Sequence, residues 1–151
     1  MTNEDLKITI AEILPDAVFE EGAEWLTLSV EPTIFKSFAQ QLRSISSLNF
    51  DFLFCLTCVD WKTHFTMVYH FTSTTYRHTI VVKSKLDRNN PEIETVSDIW
   101  RTAEFHEREA YDLFGVKFIN HPDLRRLFMT DDWVGWPLRK DYEDAVNMIK
   151  L

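Results

Sequence analysis

The sequence predicts an α+β fold. It is a two-layer sheet-and-helix domain, in the order helix, two strands, helix, three strands, helix, followed by an extended C-terminal arm. Three observations predict it. Apolar residues recur at helical spacing in three separate stretches. Between them lie short runs of alternating or continuous apolar residues, as in half-buried and fully buried strands. Beyond Gly115 the periodicity stops, and a segment of arginine–aspartate pairs and aromatics takes over. A mixture of this kind builds a two-layer sheet domain. Residues 1–115 are assigned to it and residues 116–151 to the arm.

Thr2 to Leu14 forms the first helix, with Thr2 and Asp5 as a capping box and Leu6, Ile10, Ile13 and Leu14 as its apolar face. Pro15 ends it. Ala17–Glu20 and Trp25–Val30 read as strands joined near Gly22; Leu26, Leu28 and Val30 alternate with Thr27 and Ser29. Pro32 suits the first turn of a second helix, whose core stripe is Phe35, Phe38, Ala39, Leu42 and Ile45. Phe52–Val59 is almost wholly apolar and reads as a central strand. His64–Thr72 and Tyr76–Lys83 read as a hairpin turning at Ser73–Thr75. Asp87–Pro91 is a polar loop. The third helix is expected to start near Thr95 or Ser97 and to run to Phe114, with Gly115 as a left-handed cap.

At 151 residues the chain can bury a sizeable single core. A hydrophobic fraction of 45% with 14% aromatics excludes a disordered chain. The net charge of −8 argues against nucleic acid or anionic lipid as a partner, although solubility alone also accounts for it. No apolar run approaches the ~20 residues that cross a bilayer. The N-terminus carries acids where a secretory signal carries lysines. The expectation is a cytosolic protein, or one touching a membrane only through partners.

Most chemical motifs fail on inspection. Cys55 and Cys58 are three apart in a strand, so they point to opposite faces and read as core cysteines. His106-Glu107 begins like H-E-x-x-H, but Ala110 stands where the second histidine belongs, and a zinc site falls away. With glycine only at 22, 115 and 135, no phosphate-binding loop is present, and there is no G-x-S-x-G. His64, His70 and His78 lie scattered on strands. Adjacent acids such as Glu107/Glu109, Asp131/Asp132 and Asp141/Glu143 are more often solvated or ion-paired than catalytic. A hydrolase built on Glu107, Glu109 and Asp112 is the weakest reading. The residues alone propose no catalytic site.

In the third helix Val96, Ile99, Trp100, Ala103, Ala110 and Phe114 fall on one side at about 100° per residue. Glu107 lies in the middle of that stripe. A carboxylate there must be paired or neutral, and an arginine of the arm, Arg125, Arg126 or Arg139, is the expected partner. If the helix tilts, Glu107 reaches solvent instead. The other face carries Arg101, Phe105, Arg108, Glu109 and Asp112, with Arg108 and Asp112 spaced to pair. Phe105 has no apolar neighbour there, so this face is expected to be covered by a partner or by the arm.

The arm has no apolar period. Pro122 can open one helical turn through Asp123–Leu127, capped by Asn120 or His121. Phe118, Leu124, Leu127, Phe128, Trp133, Trp136 and Tyr142 fit disorder poorly and fit interface material well. Folding back onto its own domain is the alternative. As interface material, the arm should be mobile beyond Phe118 when the chain is alone.

Glu107-Arg108-Glu109, Asp112-Leu113-Phe114-Gly115, His121-Pro122-Asp123-Leu124-Arg125-Arg126, Asp131-Asp132-Trp133 and Pro137-Leu138-Arg139-Lys140-Asp141-Tyr142 occur in that order. In this the chain resembles the 30 kDa subunit family of respiratory complex I, the C-type subunit of NADH-quinone oxidoreductase. Agreement is dense from Trp100 to Tyr142 and looser upstream, where Val59-Asp60 and Tyr69–Thr72 also fit. Asn120, Thr130, Trp136 and Phe105 depart from the family's usual glycine, proline, histidine and tryptophan.

The resemblance implies a peripheral subunit with no cofactor of its own, inside a holoenzyme that uses NADH, FMN, iron–sulfur clusters and quinone. It implies packing on the 49 kDa (D-type) subunit, near the B- and I-type iron–sulfur subunits, on the cytoplasmic side of a bacterial inner membrane. The motif residues Phe105, Glu107, Arg108, Glu109, Asp112, His121, Asp123, Arg125, Arg126, Asp132, Trp133, Arg139, Lys140, Asp141 and Tyr142 would then be structural or interface residues. Related subunits occur in membrane-bound hydrogenases, formate hydrogenlyase and quinone oxidoreductases with other donors, which the sequence does not separate.

Overall fold

The computed structural model describes residues 1–144, 146 and 148. Its elements are α1 (Asn3–Ile13), β1 (Val18–Glu20), β2 (Leu26–Ser29), α2 (Pro32–Ser44), β3 (Phe52–Asp60), β4 (His64–Thr72), β5 (Thr79–Asp87), β6 (Glu92–Glu94), α3 (Ala103–Phe114) and β7 (Lys117–Ile119). The capping box forms as expected: the Asp5 amide donates to the Thr2 hydroxyl, and the Thr2 amide donates to the Asp5 carboxylate.

Five strands form one sheet in the order β1-β2-β5-β4-β3. Only β2 and β5 run parallel; the other neighbours are antiparallel. Along β3 and β4 alternate residues are buried, among them Leu56 and Cys58, then Phe65, Met67, Tyr69 and Phe71. Leu6 and Ile10 of α1, Phe35, Phe38 and Leu42 of α2, and Ala103 and Ala110 of α3 join them in one core. Aromatic contacts fasten the layers: the ring centroids of Phe35 and Tyr69 lie 4.4 Å apart, and those of Phe71 and Trp100 4.6 Å apart.

The structure departs from the sequence reading in several places. β3 is not central but lies at the sheet edge. Its apolar run is still explained, because α3 covers its inner face. β5 starts at Thr79 rather than Tyr76, since Ser73 and His78 close the turn (N–H to O, 3.0 Å) with Arg77 at φ +57. α3 starts at Ala103, not at Thr95 or Ser97. The amides before it are already taken: Thr95 donates to the Ile119 carbonyl, and Val96 donates to the Glu107 carboxylate. Finally, β6 pairs in parallel with β7, and Val116 and Phe118 are buried in the core. Residues just beyond Gly115, expected in the arm, thus pack with the domain.

Gly115 caps α3 at φ +77, and a Cβ there would meet the Trp136 ring at 2.5 Å. Gly22 has nearly the same φ, +79, with nothing within 4 Å. Both glycine-to-alanine changes should therefore carry a backbone cost of about 1–2 kcal/mol. Gly115→Ala should lose a further ~1–3 kcal/mol from overpacking. Urea denaturation of the two variants compares them directly, and equal losses would disprove the Trp136 contact.

Candidate functional site: a buried charge cluster that pins the arm

The C-terminal half of α3 carries a carboxylate into the interior. Asp112 has no exposed surface. A bare buried charge of this kind would be untenable, and the chain surrounds it with donors. Its Oδ2 accepts from three successive amides, Leu127 (3.2 Å), Phe128 (2.6 Å) and Met129 (3.1 Å). Consecutive amides turned to one point make an anion nest. Its Oδ1 accepts from Arg126 Nη1 at 3.1 Å. Burial alone would push the Asp112 pKa up. The Phe128 and Met129 amides, the Arg126 guanidinium and the Leu127 amide outweigh it and hold the carboxyl below its ordinary range.

Arg126 is itself saturated. Nη1 also reaches the Asp112 carbonyl, Nη2 reaches the carbonyls of Trp133 and Gly135, and the guanidinium lies 4.6 Å from the Trp136 ring centroid. Arg108 does not pair with Asp112 as spacing suggested. Its Nε and Nη2 donate to the carbonyls of Arg125 and Arg126, at 3.2 and 3.0 Å, and it lies over the Phe105 ring. Arg139 Nε donates to the Phe114 carbonyl at 2.7 Å, where the helix leaves acceptors unpaired. The arm therefore folds back on α3. The expectation that it is mobile beyond Phe118 meets a segment held by a dense set of internal bonds.

A second latch was missed in the sequence. Asp60 ends β3 and is buried, and Arg88 clamps it through Nε (3.1 Å) and Nη2 (3.0 Å). The same guanidinium grips Asp141, and the Lys140 amide donates to Asp60 Oδ2 at 2.9 Å. The Arg88 bonds, working against burial and joined by the Lys140 and Lys62 amides, hold the Asp60 carboxyl well below the usual range. A lone aspartate closing an apolar strand was the available signal.

Glu107 is fully buried, so the tilted-helix reading falls, but its partner is not an arginine. It accepts from Thr95 Oγ1 (2.5 Å) and the Val96 amide (2.8 Å), and His121 Nε2 lies 3.6 Å away. Those donors only partly offset burial, which pushes its pKa up to about 7. His121 instead ties the arm to the start of α3. Its Nε2 meets the Glu104 carbonyl at 3.0 Å, and its Nδ1 accepts from the Asp123 amide. The predicted helical turn at Asp123–Leu127 is absent; these residues form a turn and then an irregular stretch.

The remaining candidates are placed as follows. Asp123 and Arg125 form an exposed ion pair. Glu109 and Asp132 are exposed, Trp133 is half-buried, and Tyr142 packs against Gly135. Phe105 is 58% exposed. Both cysteines are free thiols. Burial, then the nearby Asp60 charge, pushes Cys58 up to about 12; burial, then Glu109, raises Cys55. Neither supplies a thiolate nucleophile near neutrality. Among the described residues no cluster of three or more His, Cys, Asp or Glu is arranged to hold a metal.

The fold has solved counterparts. A chain of the membrane-bound sulfane sulfur reductase, an archaeal respiratory membrane complex, superposes with a TM-score of 0.79 at 28% identity, covering 93% of this chain and 85% of that one. A trypsin-resistant fragment of Nqo5 superposes with a TM-score of 0.68 at 26% identity, covering 82% of this chain and all of that one. The class is thus an α+β domain shared with a chain of a respiratory membrane complex, its charged segment strapped across the last helix. Residues 28–146 match the family model of the respiratory-chain NADH dehydrogenase 30 kDa subunit, and the chain belongs to that family. The C-type subunit of NADH-quinone oxidoreductase from Moorella thermoacetica is 39% identical over 88% of this chain and 90% of its own length. A protein from Phocaeicola vulgatus, named for both the C and D subunits of that oxidoreductase, is 47% identical over 74% of this chain, which spans only 22% of that relative.

Two variants probe the cluster. Asp112→Ala leaves Arg126 and three amides without their acceptor and should cost about 3–5 kcal/mol in urea denaturation; a loss below ~1 kcal/mol would show that the arm is held elsewhere. Glu107 behaves oppositely to a salt-bridged acid. Its folded pKa lies above the ordinary value of 4.5, so its favourable contribution is complete below about pH 4.5 and is lost as pH rises through about 7. The rise corresponds to about 3 kcal/mol across that window. Glu107→Gln should match the wild type near pH 5 and lose that slope; an unchanged slope would assign it to another group.

Proposed function

We propose that this chain is a non-catalytic, peripheral-arm subunit of an NADH-quinone oxidoreductase. It supports electron transfer from NADH to quinone by bracing a subunit of the 49 kDa (D) type. One observation carries this reading. The motif side chains Arg108, Asp112, Arg126 and Arg139 are spent on internal bonds that strap the arm to α3, and Glu107 is spent on Thr95 and Val96. Charges used this way are held in place rather than presented to a substrate. The relatives named for both the C and D subunits support a D-type partner.

In this reading NADH, FMN, the iron–sulfur clusters and quinone are bound by other subunits, those beside this chain being of the B and I types. The complex then couples electron flow to ion translocation. The chain sits on the cytoplasmic side and meets the membrane only through the complex. Among the described residues no helix is long and apolar enough to cross a bilayer. A second reading, the equivalent subunit of a complex with another electron carrier, is favoured by the likeness to a chain of the sulfane sulfur reductase.

The test is co-purification of a tagged chain from gently solubilised membranes. A large complex with iron–sulfur absorbance and NADH-quinone activity is expected. A colourless single species without partners would overturn both readings. A coloured complex lacking NADH oxidation would select the second.

A further inference from the structure

The outer strand β3 is built like an inner one. It reads FLFCLTCVD, nine residues without lysine, arginine or proline. Edge strands are ordinarily blunted by such residues, by shortness or by bulges. The opposite edge of the sheet obeys that rule, since β1 has three residues and ends at Glu20. On β3 only the first part is blunted. A bulge lies between Leu53 and Cys55, and the Thr102 hydroxyl caps the Leu53 carbonyl at 2.7 Å. From Leu56 to Val59 no such device is present among the described residues; at Asp60 the Lys140 amide of the arm reaches the strand.

The ladder shows which groups are left open. Trp61 donates to the His64 carbonyl, so pairs 59–66, 57–68 and 55–70 exchange hydrogen bonds with β4. The N–H and C=O groups of Leu56 and Cys58 therefore point away from β4, and no described backbone group pairs with them. Beside them a cleft of about 250 Å³ runs between β3 and α3. Ala110, Leu113 and Phe114 line it, Leu138 of the arm forms part of its rim and is 53% exposed, and Glu109 is its exposed carboxylate.

We propose that the Leu56–Val59 edge of β3 receives an added strand from a partner subunit. The occupant is an extended segment that completes the hydrogen bonds of Leu56 and Cys58. It sets alternate apolar side chains into the cleft and places a basic side chain against Glu109. Main-chain bonds would give the affinity and the cleft the selectivity, as in strand addition generally. The basic residue is argued from charge: this chain is at −8, and Glu109 has no ion pair among the described residues.

The inference rests on the subunit reading, and one experiment separates their failures. Hydrogen exchange is measured at the Leu56 and Cys58 amides in the isolated chain and in the purified complex. A photo-crosslinking side chain at exposed Thr57 reports what lies alongside. Slowing of both amides by about tenfold or more on assembly, with cross-links to one extended segment of a partner subunit, is the expected result. Glu109→Lys should reduce that cross-link while leaving the Thr72–Thr79 hairpin amides as protected as before. Unchanged exchange within an intact complex overturns the added strand and leaves the subunit reading standing. Cross-links to a second copy of this chain overturn it in favour of edge-to-edge pairing. Absence of any complex overturns both.

Discussion

A carboxylate with no contact with water sets the terms for the arm. Once α3 carries Asp112 inward, four donors have to reach it, and helix α3 has none to spare. They come from the arm, and three of them are backbone amides at consecutive positions. That requirement fixes the path of residues 126–129. Arg126, brought in by the same demand, fixes the carbonyls of Trp133 and Gly135, and Trp136 then closes on Gly115. A segment with no regular secondary structure is thereby given a single conformation. Buried polar networks behave this way when every member is satisfied.

Helix α3 also shows how completely surroundings decide an acid's behaviour. Glu107 and Asp112 are both fully buried on one helix, yet their pKa values move in opposite directions. The difference is the donor count and its charge. Asp112 has three amides and a guanidinium; Glu107 has one hydroxyl and one amide, with a histidine just beyond hydrogen-bond reach. Ionised, Asp112 holds the arm; Glu107 is best tolerated protonated. The two buried acids of α3 thus respond to pH with opposite sign.

Much of the fold was legible in the sequence, because periodicity reports burial and burial decides most elements. The capping box of α1, the stripe of α2, the strands β3 and β4 and the Gly115 cap follow from local rules. What escaped was non-local. Strand order is not encoded in any one strand, so an apolar β3 reads as central although it lies at the edge. β6 and β7 are too short to show a period. The start of α3 was misplaced because Val96 lies in phase with the helix, while its amide is claimed by Glu107. At the site, the motif residues were recognised but not their pairings: spacing favoured Arg108 with Asp112, and Arg108 instead serves two carbonyls of the arm. Asp60 and Arg88 are 28 residues apart, and nothing local joins them.

The two latches also explain why the arm and the sheet edge belong to one structural problem. Asp60 is the last residue of β3, and through Arg88 and the Lys140 amide it holds the arm beside that strand. Leu138, two residues earlier in the arm, lies on the rim of the cleft along β3. The strap therefore shapes the surface next to the open edge as well as holding itself down. The described arm is held in place against α3 and the end of β3. That hold comes from desolvated charges with fixed donors rather than from apolar packing, which the arm, with Val134 and Phe128 exposed, has too little of.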